Sequence, residues 1–186
     1  MRSPFLLSLG LGILLAGPSL AEPSANRAAR VEVAASITQQ LPKECWRLLS
    51  KKIPYLYGGS SDIGMDCSAS VQRLFRSLGV SLPRTSEGQA NALARRGQLW
   101  RVGERESEHE VFTRLRPGEL LFWVSDADPH RISHVMVFVG YDGKTPQLWG
   151  ARGRGKTGRF GSGVDYFAHQ LKPRGKSRLV AHGRPF

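Results

Sequence analysis

Apolar positions along this chain change their period midway, and the change divides helices from strands. From Ile37 to Lys52 a helix is predicted, interrupted at Pro42, with Cys45, Leu48 and Leu49 on one face and Pro54 as its stop. Val71, Leu74, Phe75 and Leu78 again recur at helical spacing, and Gly79 ends that run, so a buried helix is expected over Cys67–Leu78. Val80–Ser86 reads as a loop, and Ser86 could cap a further helix over Glu87–Arg96. Residues 97–117 are polar and carry neither period. After the turn at Pro117-Gly118 the pattern becomes that of strands: Glu119–Trp123, Ser133–Val139, Gln147–Ala151, Val164–Phe167 and Arg178–His182. Asp126–Pro129 is expected as loop, and Gly140–Gly143 turns the second strand back into the third as a hairpin. Helices first and antiparallel strands second predict one α+β domain.

The candidate chemistry sits where a Gly-rich turn meets a helix. Gly58–Gly64 precedes Asp66-Cys67-Ser68-Ala69, Asp66 is a good N-cap, and Cys67 falls at the first helical position. There the macrodipole and the free backbone N–H groups favour a thiolate, and the N–H of Cys67 could stabilise an oxyanion. A lone buried cysteine is equally consistent with packing, so a histidine partner is needed. His134 opens the second strand on the face of Met136 and Phe138. It is a core histidine on one reading and the general base of Cys67 on the other. Cys45 and Cys67 are the only cysteines. They could pair, but Cys45 lies on a buried helix face and both are expected as free thiols.

Length and charge narrow the setting. The 186 residues suffice for one domain with a core. Met1-Arg2-Ser3, an apolar run from Phe5 to Ala16, and Ser19-Leu20-Ala21 have the order of a secretory signal with cleavage after Ala21. That run is short and broken by glycine for a membrane span, and no cysteine near the cleavage point offers a lipid anchor. An exported, periplasmic or secreted protein is expected. Residues 22–36 read as a linker or frayed helix and 37–186 as the single domain. With 27 Lys and Arg against 15 Asp and Glu, the formal charge of +12 suits an anionic surface such as wall polymer or membrane, or simply solubility.

Several blocks in order now carry a resemblance. Tyr55-Leu56-Tyr57-Gly58-Gly59, Asp66-Cys67-Ser68, Leu82-Pro83-Arg84-Thr85-Ser86 with Gln89, Arg116–Phe122 and Ile132-Ser133-His134-Val135 resemble the NlpC/P60 family of bacterial cell-wall cysteine peptidases, over roughly residues 37–167. The resemblance implies a papain-like fold, with the Cys helix packed on an antiparallel sheet carrying the His. It also implies hydrolysis of amide bonds in peptidoglycan stem peptides, commonly the γ-D-glutamyl–diaminopimelate link. By position, Cys67 would be the nucleophile and His134 the base. Tyr55 would assist the oxyanion or position substrate, and Asp66, Ser68 and Arg84 would belong to the substrate pocket. Two positions depart from the family pattern. Ala69 replaces a usual Gly, and the third catalytic position falls on Gly150 in Leu148-Trp149-Gly150-Ala151. A water or a polar group from Ser125–Arg131, with Asp128 and His130 as candidates, could orient His134 instead. With Gly150 there, a relative that only binds or regulates wall peptides is the alternative.

Other readings are weaker. Gly150–Thr157 matches the phosphate-cradling pattern G-x-x-x-x-G-K-[ST], yet Gly158–Gly163 cannot continue as the helix that motif needs. A binder of nucleic acid or wall polymer through Arg152, Arg154, Lys156 and Arg159 lacks interleaved aromatics and a recognisable module, so no nucleic-acid partner is expected. His109, His130, His169 and His182 show no metal-ligand spacing. Neither metal nor cofactor is implied, and a monomer is expected.

Overall fold

The computed structural model describes residues 24–153, 158–171 and 177–186. The secretory-signal stretch therefore lies outside the described residues, as do Arg154 and Lys156. The described residues form four helices and eight strands: α1 (Ser24–Leu49), β1 (Ser60–Ser61), β2 (Gly64–Met65), α2 (Cys67–Ser77), α3 (Ser86–Arg95), β3 (Leu99–Arg101), α4 (Glu108–Arg114), β4 (Leu120–Ser125), β5 (Asp128–Asp142), β6 (Thr145–Ala151), β7 (Val164–Ala168) and β8 (Ser177–Gly183). Six strands make one antiparallel sheet in the order β3-β8-β4-β5-β6-β7, and β1 and β2 form a two-stranded ribbon just before the Cys helix. This is the α+β arrangement that the change of period predicts.

Alternation in the strands fixes two cores, one on each face of the sheet. On one face, Leu120, Phe122, Val135, Val137, Trp149 and Ala181 meet α1 and α2 through Ile37, Leu41, Leu48, Val71, Leu74 and Phe75. On the other, Leu121, Trp123, Met136, Phe138, Leu148 and Phe167 meet Val111, Phe112 and Leu115 at α4. Residues 97–117, whose polar sequence carries neither period, supply the edge strand β3 and α4. The capping box Ser107–Glu110 starts α4: each residue's side chain accepts from the other's backbone N–H, at 3.2 and 2.8 Å.

Three boundaries differ from expectation. The helix expected from Ile37 begins at Ser24 and runs through Pro42 without breaking, so of the two readings of residues 22–36, linker or frayed helix, 24–36 take the helical one. Thr85, not Ser86, caps α3, accepting from Gly88 N at 3.1 Å. The expected loop at Asp126–Pro129 is shorter, because β5 already begins at Asp128. Tertiary pairing extends strands beyond what their own apolar residues announce.

Candidate active site

Asp66 caps α2 as its sequence predicts: the carboxylate accepts from Ala69 N at 2.8 Å and from Ser68 Oγ at 3.0 Å. Arg84 completes the cluster from the loop before α3. Its Nη1 donates to Asp66 Oδ1 and Ser68 Oγ, both at 2.9 Å. Nη2 donates to Asp66 Oδ2 at 2.7 Å and to the carbonyls of Gly58 and Gly59 at 3.0 and 2.9 Å. Gln89 ties this loop to the helix start by donating to the Ser68 and Pro83 carbonyls at 2.9 and 3.0 Å. Burial works to raise the Asp66 pKa, but the Arg84 guanidinium, the Ala69 N–H and the Ser68 hydroxyl outweigh it and hold the carboxyl below its ordinary range. Arg84 directs both terminal nitrogens at protein acceptors and so braces the pocket wall.

Cys67 itself is buried and unpaired with Cys45; both are free thiols. Burial raises the Cys67 pKa. The N–H of Val135 and those of Ser68 and Cys67 itself point at the sulfur and oppose that, while the Asp66 charge adds to the rise. The thiol therefore predominates at neutral pH, and the expectation that the helix start alone would yield a thiolate is corrected by desolvation. Cys45 is more deeply buried, its thiol pushed up by that burial and hydrogen-bonded to Tyr166. Tyr55 is brought beside Cys67 by its bridge to Met65. Burial and the neighbouring Cys67 and Asp66 raise its phenol pKa, so the hydroxyl stays a proton donor. Gly163 makes that placement possible, because a Cβ there would stand 2.1 Å from Tyr55 N, where only hydrogen fits.

His134 takes the face the strand alternation assigns it, and that is the face away from the Cys helix. Cys67 packs with Val135 and Val137. The His134 ring stands against Trp123, with centroids 5.8 Å apart, in a cleft also lined by Met136, Leu148 and Arg152. Among the described residues no hydrogen bond joins Cys67 and His134, although the Val135 N–H at the sulfur brings the thiol to the backbone one residue beyond His134. His134 Nε2 is shut off from solvent and has no hydrogen-bond partner among the described residues. Burial, with the Arg152 charge second, lowers its pKa to about 4, so the imidazole is neutral at physiological pH. Asp128 and His130 do not orient it; both are exposed at the start of β5.

Gly150, the third catalytic position by resemblance, lies in β6 opposite Asp165 and has φ +150°. A Cβ there would lie 3.5 Å from Ser70 Oγ and 3.8 Å from Met136 Cε. Ser70 bridges the layers, accepting from Ala151 N at 2.9 Å and donating to the Cys67 carbonyl at 2.8 Å. Of the basic rim residues, Arg159 pairs with Asp142 at 3.1 Å, whereas Arg152 is half-buried over the Phe167 ring at 5.8 Å. Gly158–Gly163 lead by turns and bends into β7 and form no helix, so the phosphate-loop pattern lacks its context.

The NlpC/P60 family model matches residues 52–156, which span Tyr55, the Cys67 helix start and the His134 strand. This chain belongs to the NlpC/P60 family. A γ-D-glutamyl-L-lysine dipeptidyl-peptidase of Bacillus cereus is 29% identical over 89 residues, covering 47% of this chain and 22% of the relative. The peptidoglycan endopeptidase RipB of Mycobacterium tuberculosis is 31% identical over 160 residues, 78% of this chain and 58% of RipB. The chain thus spans less than a quarter of the first relative's length and somewhat over half of the second's. Among solved structures, NlpC2 from Trichomonas vaginalis superposes with a TM-score of 0.52 at 18% identity, covering 78% of this chain and 46% of that one. The fold is that of an NlpC/P60, papain-like domain.

Proposed function

We propose that this protein is a cysteine endopeptidase that hydrolyses amide bonds of peptidoglycan stem peptides, with the γ-D-glutamyl–diaminopimelate link as its bond. The observation that carries the reading is the start of α2. Cys67 stands at a helix N-terminus with three backbone N–H groups aimed at its sulfur, walled by the Asp66–Ser68–Arg84 cluster and by Tyr55. Such a wall offers a carboxylate to a peptide amino group and N–H donors to a carbonyl oxygen. The names of the relatives, a γ-D-glutamyl-L-lysine dipeptidyl-peptidase and a peptidoglycan endopeptidase, favour the same substrate class.

The protonation states select general-base chemistry over a resting ion pair. A thiol at Cys67 and a neutral imidazole at His134 are the resting forms. The reaction requires His134, whose ring rests against Trp123, to reach the sulfur. His134 takes the thiol proton as sulfur attacks the scissile carbonyl, and returns that proton to the departing amine. Water then hydrolyses the thioester. Action on the wall requires export, for which Met1–Ala21 has the order of a signal, and the basic surface would hold the protein on anionic polymer.

Gly150 and the unpartnered His134 favour one other reading, a family member that binds wall peptides without cutting them. Digestion of purified sacculi and defined muropeptides by the mature protein and by Cys67→Ala separates the two, with products read by mass spectrometry. New fragments that disappear in the variant are expected. Equal binding of sacculi by both proteins with no fragments from either would replace the peptidase with the binder.

A further inference from the structure

The cleft that receives His134 holds a charged group that the cysteine chemistry does not use, the Arg152 guanidinium. It encloses about 360 Å³ on the face of the sheet opposite α2. Trp123, Met136 and Leu148 give it apolar walls, and Arg152 enters from the end of β6. Arg152 is half-buried, lies over Phe167 at 5.8 Å, and has no carboxylate partner among the described residues. Across the cleft Glu108 is already engaged, 2.9 Å from His169 Nε2, and the His169 ring is stacked on Phe112 at 4.9 Å. The sealed, unpartnered Nε2 of His134 is the second polar group without a match. A half-buried guanidinium without a counter-charge and an imidazole nitrogen without a hydrogen bond are both unfavourable unless something else supplies an acceptor.

We propose that this cleft binds the carboxylate of an amino acid or peptide, with the Arg152 guanidinium as its cationic partner and Trp123, Met136 and Leu148 receiving the adjoining aliphatic part. A planar carboxylate suits the guanidinium fork, which can meet both oxygens. One unpaired cation facing the Glu108 carboxylate suits a singly charged group better than a phosphate dianion. Because His134 lines the same cleft, the bound anion is coupled to the general base. A negative charge beside Arg152 offsets the positive field that helps hold the imidazole neutral. Binding would then make His134 more basic, which a general base about to take a thiol proton requires. Identifying the carboxylate as one belonging to a stem peptide rests on the function proposed above; the site itself does not.

The test uses full-length mature protein carrying Cys67→Ala, so that nothing is cut, with the His134 ring followed by NMR through a pH titration. The first probe is the tripeptide L-alanyl-γ-D-glutamyl-diaminopimelate with free carboxylates, and the second is the same peptide fully amidated. N-acetyl-D-alanine serves as a small monocarboxylate. The free tripeptide is expected to raise the His134 pKa and to bind about tenfold or more tighter than its amidated form. Arg152→Gln should abolish that preference and Arg152→Lys retain part of it, with thermal midpoints confirming that both variants fold. A response to N-acetyl-D-alanine but not to the tripeptide would keep the site and remove the wall-peptide reading. Equal binding of free and amidated peptide with no response to N-acetyl-D-alanine, or unchanged binding in a folded Arg152→Gln, would overturn the site.

Discussion

The two sides of β5 are finished to different degrees. On the Cys67 side, Asp66 accepts from Ala69, Ser68 and Arg84, while Arg84 donates to Asp66, Ser68 and two backbone carbonyls. On the His134 side, among the described residues, Nε2 has no hydrogen-bond partner and Arg152 no counter-charge. The first is a wall that holds its shape by itself, since most of its bonds close within the 27 residues from Gly58 to Arg84. The second is incomplete, and its polar groups suit a ligand more than they suit each other. On the function proposed above, a preorganised Cys67 and an unsatisfied His134 are what a site needs if substrate is to complete it.

That contrast should be visible in acid. His134 has a folded pKa of about 4 against an ordinary value of 6.5, so the unfolded chain takes up its proton first as pH falls. Its contribution to stability is complete above 6.5 and is lost between there and 4, amounting to about 3 kcal/mol. The Asp66 and Glu119 carboxyls are held below their ordinary 3.8 and 4.5, so what they contribute disappears at still lower pH. Urea midpoints measured across this range should fall for the wild type. In His134→Phe, which keeps a ring against Trp123, the decline should be nearly absent above pH 4.5. An equal decline in both proteins would mean that His134 is not buried neutral.

Breaking the finished side should have the next largest effect, and it should not depend on pH in that window. Arg84→Ala leaves Asp66 with only the Ala69 and Ser68 donors in a mostly buried position, and a loss of about 2 kcal/mol is expected from urea unfolding at pH 7. Arg84→Lys keeps the charge but not the fork that spans Asp66 and two carbonyls, so it should recover less than half. Full recovery by lysine would show that charge alone holds the wall.

The finished side was also the legible one. Asp66 as cap, Cys67 at the first helical position and the Arg84 block are short-range features, and the chain's own spacing and the family motif announce them. Alternation correctly puts His134 with Met136 and Phe138, but which face receives α2 is decided by packing elsewhere, so Cys67 meets Val135 instead. Arg152 read as one of four basic residues that could meet nucleic acid or wall polymer, because nothing nearby in sequence reveals Phe167 beneath it. The Glu108–His169 pair joins residues 61 positions apart and has no local signature. The α4 start is different: Ser107-x-x-Glu110 is a capping box in plain sequence, and the polarity of residues 97–117 obscured it.

Gly150 sharpens the contrast with the smallest change. The L configuration rarely adopts φ +150°, while the space a Cβ would fill is ordinary van der Waals contact with Ser70 and Met136. Backbone strain rather than a clash therefore sets the penalty, and Gly150→Ala should lose about 1 kcal/mol at pH 7. Gly150→His carries the same strain and adds the imidazole that the family pattern places here. Comparing these two variants, rather than either with the wild type, cancels the backbone term. If His134 lacks only an orienting partner, Gly150→His should cut muropeptides faster than Gly150→Ala at equal stability, with the gain in kcat and little change in KM. Equal rates would mean that a side chain at this position adds nothing to catalysis, and the burden of preparing His134 would pass to the group bound beside Arg152.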